Sequence, residues 1–149
     1  MKVDKIIALI KERVGSNSEL PGWKSHKKMA VIPINSITEK AFIPPKDAKQ
    51  ASVSIILFEE NNQLFFLLTK RTDNVEHHKG QVSLPGGAID KNETAQNASL
   101  RETKEEIGID SSSLKSLGQL SSLYTPVSYF NSHIFLWYSE THPQIKIND

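Results

Sequence analysis

Residues 86–109 read GGAIDKNETAQNASLRETKEEIGI, and this stretch decides the fold. The segment 95–107 follows the glycine pair Gly86-Gly87, is rich in helix formers, and stops at Gly108, a residue suited to a helix C-terminus. Successive residues of an α-helix turn by about 100°, so Glu102, Glu105 and Glu106 fall within an arc of about 100°, with Leu100 and Ile107 opposite. Three carboxylates on one face suit a hard cation such as Mg²⁺, which takes oxygen ligands and relieves their mutual repulsion. A Glu-rich helix face is ordinarily just solvated, and Arg101 and Lys104 could simply pair with neighbouring acids. The segment Pro85-Gly86-Gly87 tips the balance, because a flexible loop before the helix lets backbone groups approach phosphate or metal.

Working outward, 51–59 and 63–70 are rich in β-branched and aromatic residues and flank the turn-forming Glu60-Asn61-Asn62, a hairpin pattern. Their apolar runs, Ile55 to Phe58 and Leu64 to Leu68, are nearly continuous, which predicts a sheet covered on both faces and a layered α/β arrangement. Two further strands are expected over 117–124 and 133–139. Near the N-terminus Ile6, Ile7, Ile10 and Val14 recur at helical spacing after Asp4, a potential cap, which predicts a short amphipathic helix over 4–14 packed on the domain. The stretch 15–50 has Ser, Asn, Pro and Gly punctuation without sustained periodicity and is expected to run as extended connections. No internal repeat, coiled coil or low-complexity tail is present.

A chain of 149 residues, 38% of them hydrophobic, suits one domain over 1–149 with a single core. Eighteen Lys and Arg against 17 Asp and Glu provide no field of one sign for nucleic acid or an anionic membrane, so anion recognition must be local. Without cysteine there is no disulfide, thiolate nucleophile or Cys-ligated zinc. The apolar run Ile6 to Ile10 is too short for a signal peptide or a span of about 20 residues. These features place the protein in the cytoplasm, and they allow a homodimer.

Gly87, five residues, Glu93, seven residues, and then Arg101-Glu102-Thr103-Lys104-Glu105-Glu106-Ile107-Gly108-Ile109 resemble the signature of the Nudix hydrolases. Every charged and glycine position is filled. Thr103 departs from the pattern, which usually has an aliphatic residue there, and a half-buried threonine on the packing side is expected. The resemblance implies an α/β/α sandwich with a mixed β-sheet holding Mg²⁺ or Mn²⁺ against a substrate diphosphate. It makes Glu102 and Glu106 the main metal ligands and Glu105 a further ligand or the base that activates water, with the catalytic proton going to Glu105 or Glu106. Gly87 would lend a carbonyl to the metal, and Glu93 and Arg101 would form a structural ion pair bracing loop against helix. Direct attack by water also suits a chain without a recognisable serine or cysteine nucleophile motif.

Leu67-Leu68-Thr69-Lys70-Arg71-Thr72, then Gly80-Gln81-Val82-Ser83-Leu84-Pro85-Gly86-Gly87, resemble the second signature of the coenzyme A pyrophosphatase branch. Leu20-Pro21-Gly22-Trp23, with His26 and Met29, is similar to that branch's N-terminal segment. Thr72 stands for serine, Leu84 for phenylalanine, and Glu76 reverses the charge of a usual arginine, so coenzyme A should be bound differently or more weakly. Lys70 and Arg71 remain as phosphate partners, with Gln81 and Gly86 on the substrate side. Loop histidines His77 and His78, and the aromatics Trp23, Trp137, Tyr124 and Tyr129, are read as exposed polar and packing residues. The family chain normally continues beyond such an end into a further strand and a helix that covers one face of the sheet, so this chain looks truncated. The implied reaction converts coenzyme A or a derivative to 3',5'-ADP and a 4'-phosphopantetheine product. The alternatives are another nucleoside diphosphate derivative such as ADP-ribose, a dinucleotide, a nucleoside triphosphate, or a binding module without catalysis.

Overall fold

The computed structural model describes residues 2–15, 20–29, 42–70 and 80–146. Arg71, Thr72, Glu76, His77 and His78 lie outside the described residues, as does 30–41 of the expected extended stretch. In chain order the elements are helix α1 (Val3–Gly15), the short helix α2 (Trp23–His26), strands β1 (Lys49–Glu60), β2 (Gln63–Phe66), β3 (Thr69–Lys70), β4 (Val82–Ser83) and β5 (Gly86–Ala88), helix α3 (Ala95–Ile107), and strands β6 (Leu114–Gln119), β7 (Leu123–Thr125) and β8 (Phe130–Ser139).

The sheet grows outward from β1 and β8, which pair in parallel over ten positions from Lys49↔Phe130 to Phe58↔Ser139. All other pairings are antiparallel: β2 and β5 on the outer edge of β1, β6 and β7 on the outer edge of β8. The sheet is therefore mixed. Side chains alternate across a strand, so each central strand has two sets of inward residues. Ile56, Phe135 and Trp137 face α3 and join Ile107, Ile109 and Leu114, whereas Leu57 and Leu136 face the other way and join Leu117 with Ile7 and Ile10 of α1. The near-continuous apolar run of β1 thus has a helix to meet on each side, whereas the second expected run, Leu64 to Leu68, is not covered on both faces and leaves Phe65, Phe66 and Leu68 exposed. Burying a side chain such as Ile56 contributes about 1.5–3 kcal/mol.

Several details differ from the reading of the sequence. Asp4 lies inside the first turn of α1 and does not cap it, so its charge simply meets the positive end of the helix. The expected extended stretch contains α2 and a 3₁₀ turn at Lys27–Met29, nucleated by the carbonyls of Pro21 and Gly22 and held by a Trp23–Phe42 stack with centroids 4.1 Å apart. The hairpin closes through Asn61 and Asn62, both at positive φ as a two-residue turn requires, but its second strand ends at Phe66. Thr69 and Lys70 pair instead with Ser83 and Val82 in a separate ribbon, leaving Phe65 and Phe66 of edge strand β2 exposed. The strand expected over 117–124 is two strands on one edge of β8. Finally, Gly86 and Gly87 are not a loose loop: they pair with Val53 and Ser52 as β5.

Helix α3 is capped by the preceding Thr94, whose Oγ1 accepts from the amide of Asn97 at 3.1 Å, a cap worth about 1 kcal/mol. It ends at Gly108, in the left-handed region at φ 71, where a Cβ would also meet Lys146 at 2.7 Å. Thr103 is fully buried, not half-buried, because serine hydroxyl and carbonyl groups receive it: its Oγ1 lies 2.7 Å from the Ser99 carbonyl and 2.9 Å from Ser54 Oγ. Among the described residues no helix is long and apolar enough to cross a membrane.

Candidate active site

Helix α3 and strand β5 form the two walls of the candidate site. An added Cβ would meet close neighbours at both glycines of β5, the backbone of β1 at Gly86 and the side chain of Glu102 at Gly87. A Cβ on Gly86 would lie 2.4 Å from the Ser52 carbonyl oxygen and 2.7 Å from Val53 Cα. A Cβ on Gly87 would lie 2.4 Å from Glu102 Oε1 and 2.6 Å from Glu102 Cδ. One turn further along, Glu106 Oε2 accepts the amide proton of Gly86 at 3.1 Å. Glu102 and Glu106 therefore lie over consecutive residues of β5. The Gly86 amide, expected on the substrate side, is occupied by Glu106.

Arg101 ties the third carboxylate into the same group. Its Nη1 donates to Glu102 Oε1 at 2.8 Å and to Glu105 Oε2 at 3.0 Å. Its Nε and Nη2 grip Glu93 at 3.1 Å each, and Nη2 also donates to the Ala88 carbonyl at 3.0 Å. Asp90 lies 3.8 Å away, and its amide donates to Glu93 Oε2 at 3.2 Å. One guanidinium thus joins the loop after β5 to the carboxylate face of α3. The hydrogen bond to Glu93 raises the Arg101 pKa, and the same bond lowers that of Glu93 despite partial desolvation. The pairing expected of an ordinary solvated face is therefore also present, including Lys104 with Asp110 at 2.7 Å, an exposed pair of small energetic worth.

Among the described residues no three acidic or imidazole side chains converge tightly enough to hold an ion as they stand, since Glu102 and Glu105 turn to Arg101 and Glu106 to Gly86. The donor chemistry nevertheless fits a hard divalent cation. Three carboxylates share one helix face, and the first lies against a backbone position where any Cβ would displace it.

Lys70 sits on β3 opposite Val82, so it is brought to the end of the ribbon where Gln81 precedes β4. Gln81 is exposed. The ribbon leads through the buried Pro85 into Gly86. Arg71, the other expected phosphate partner, lies outside the described residues. Sequence reasoning missed Thr94, Ser54 and Ser99. A threonine just before a helical segment was a readable cap, but the serines carried no signal beyond alternation within a strand and a helix.

A family model described as the NUDIX domain matches residues 48–149. The chain belongs to the Nudix family. It is 36% identical over 106 residues to Nudix hydrolase 3 of Caenorhabditis elegans, covering 70% of this chain and 43% of that protein. It is 38% identical over 78 residues to the uncharacterized Nudix hydrolase NudL of Klebsiella aerogenes, covering 52% of this chain and 64% of that one. The chain thus spans less than two thirds of the length of these curated relatives. In fold it resembles the Nudix hydrolase of Alicyclobacillus acidocaldarius, with a TM-score of 0.57 at 17% identity over 69% of this chain and 75% of that one. It also resembles a C. elegans Ap4A hydrolase, with a TM-score of 0.56 at 21% identity over 66% and 71%. Nudix hydrolases act on small nucleoside diphosphate derivatives and generally use divalent metal ions.

Proposed function

We propose that this Nudix chain is a metal-dependent pyrophosphohydrolase that cleaves the diphosphate of coenzyme A or a derivative. The observation that carries the reaction is the placement of Glu102 and Glu106 over Gly87 and Gly86 of a pinned strand, with Glu105 held beside them by Arg101. The coenzyme A assignment rests on the second signature through Lys70, Arg71 and 80–87.

Glu102, Glu105 and Glu106, with the Gly87 carbonyl, would hold Mg²⁺ or Mn²⁺. When bound, the ion supplies charge neutralisation at the phosphoryl oxygens and acidifies water. Glu105 or Glu106 takes the proton as water oxygen attacks one phosphorus, and the bond to the bridging oxygen breaks so that the other phosphate leaves. Arg101 keeps the carboxylates grouped and braces the loop through Glu93, while Lys70, Arg71 and Gln81 meet the substrate's charged groups. Water adds across the anhydride, giving 3',5'-ADP and 4'-phosphopantetheine.

The second reading keeps the chemistry and changes the substrate. Glu76, standing where the coenzyme A branch usually has arginine, favours a different appended group such as that of ADP-ribose or a dinucleoside polyphosphate, the class named for the C. elegans Ap4A hydrolase of similar fold. The test is mass spectrometry of products after incubation with coenzyme A, ADP-ribose or Ap4A, with Mg²⁺ or Mn²⁺ and a chelator control. Metal-dependent 3',5'-ADP from coenzyme A is expected. Cleavage of the other substrates alone would discard the coenzyme A assignment, and silence on all would favour a binding module.

A further inference from the structure

We infer that Thr103 and Ser54 are positioning residues, a buried hydroxyl latch that sets the rotation of α3 so that its carboxylates meet Gly86 and Gly87; this rests on the metal-site reading above. Ser54, Ser99 and Thr103 are all fully buried. The Ser99 carbonyl accepts from Thr103 Oγ1 at 2.7 Å and from Ser54 Oγ at 3.1 Å, and the two hydroxyl oxygens are 2.9 Å apart. Ser99 Oγ turns away to the Gln96 carbonyl at 2.8 Å.

The connectivity gives the latch its meaning. The amide of Ser54 donates to the carbonyl of Pro85 at 2.9 Å, which fixes the residue just before Gly86. Its side chain holds the helix turn just before Glu102. A single residue of β1 thus grips both walls of the site, one through its main chain and the other through its side chain. Against β1 and β8, α3 otherwise packs through apolar contacts such as Ile107 with Ile56 and Trp137, which are non-directional, and its hydrogen bonds to β5 run through the long side chains of Arg101 and Glu106. Hydrogen bonds have preferred distances and angles, so they resist rotation and sliding that apolar packing tolerates.

The required tolerance is small. A side-chain tip about 5–6 Å from a helix axis moves by about 1 Å for a rotation of roughly 10°. A misplacement of about 1 Å in a reacting constellation costs about 100-fold in rate. Pure space-filling would be served better by Val and Ala, because buried hydroxyls cost stability unless bonded.

Three variants separate hydroxyl from shape. T103V keeps the shape and removes the hydroxyl, T103S does the reverse, and S54A removes both hydroxyl contacts between strand and helix, leaving the Thr103–Ser99 bond that lies within α3. Each is measured for Tm, for Mn²⁺ affinity by electron paramagnetic resonance of free Mn²⁺, and for kcat and KM on the substrate found above. T103V should keep its Tm within a few degrees yet bind Mn²⁺ about tenfold more weakly and lose about 10- to 100-fold in kcat, within the range for outer-shell changes. T103S should melt lower because a methyl is lost, with Mn²⁺ affinity and kcat within about twofold of the parent. S54A, which loses both strand-to-helix contacts, should lose at least as much Mn²⁺ affinity and kcat as T103V. If T103V binds Mn²⁺ and turns over like the parent, or if affinity follows Tm across all three, the latch has no positioning role. A parent protein that binds no Mn²⁺ and cleaves nothing would overturn the metal-site reading itself and the latch with it.

Discussion

Replacing Gly87 by alanine separates the chemistry of the site from its folding. An added Cβ would lie 2.4 Å from Glu102 Oε1, whereas ordinary contact begins at 3.4 Å, so the carboxylate must retreat by about 1 Å. No positive φ is required at Gly87, and the obstruction is the end of a flexible side chain. The fold should therefore yield cheaply: the loss is mainly that of a partly exposed Arg101–Glu102 contact, about 0–1 kcal/mol. The rate should fall by about 100-fold, or about 2.7 kcal/mol of barrier, because the displaced group is a proposed metal ligand. Gly86→Ala is the matched control. Its Cβ would strike the Ser52 carbonyl and Val53 backbone, which cannot swing aside, so overpacking should cost about 1–3 kcal/mol or more and lower Tm clearly. Circular dichroism melts and initial rates of metal-dependent diphosphate cleavage give both quantities. Full activity in G87A would refute the assignment of Glu102 to the reacting centre, and a G87A melt as low as that of G86A would refute the reasoning that the Glu102 side chain yields cheaply.

Glu105→Gln and Glu106→Gln should fold normally and lower kcat by roughly 10²–10⁴ for the one that serves as base, measured under saturating substrate and metal. The Glu93 carboxyl is held below its ordinary value by Arg101, so its contribution to stability is complete above the unfolded pKa of 4.5 and is lost as pH falls through the lower folded value. The Tm gap between parent and Glu93→Gln should accordingly shrink on acidification below pH 4.5, and a constant gap down to strongly acid pH would remove the ion pair as its cause. Thr94→Ala removes the side-chain cap of α3 and should cost about 1 kcal/mol, read from chemical denaturation midpoints.

Periodicity and punctuation by themselves determined much of this protein: α3 and its stop at Gly108, the face shared by Glu102, Glu105 and Glu106, α1 with Ile7 and Ile10 inward, and the strongly apolar β1. These are local signals, set by side-chain spacing of about 3.6 or 2 residues. The spacing of Gly87, Glu93 and Arg101 to Gly108 likewise pointed to the family in which the chain belongs. Tertiary structure decided what depends on neighbours distant in sequence. Gly86 and Gly87 read as a loose loop because glycine favours turns, yet β1 captures them as a strand, and their missing side chains serve close approach. Thr103 read as a mild packing change because its partner Ser54 is 49 residues away and looks like any polar strand residue. The break after Phe66 and the split near Leu120 follow from which edge each segment finds, on β1, on β8 or in the β3–β4 ribbon. A hydroxyl or a glycine has little periodic signature of its own, and only the packed sheet shows which groups it meets.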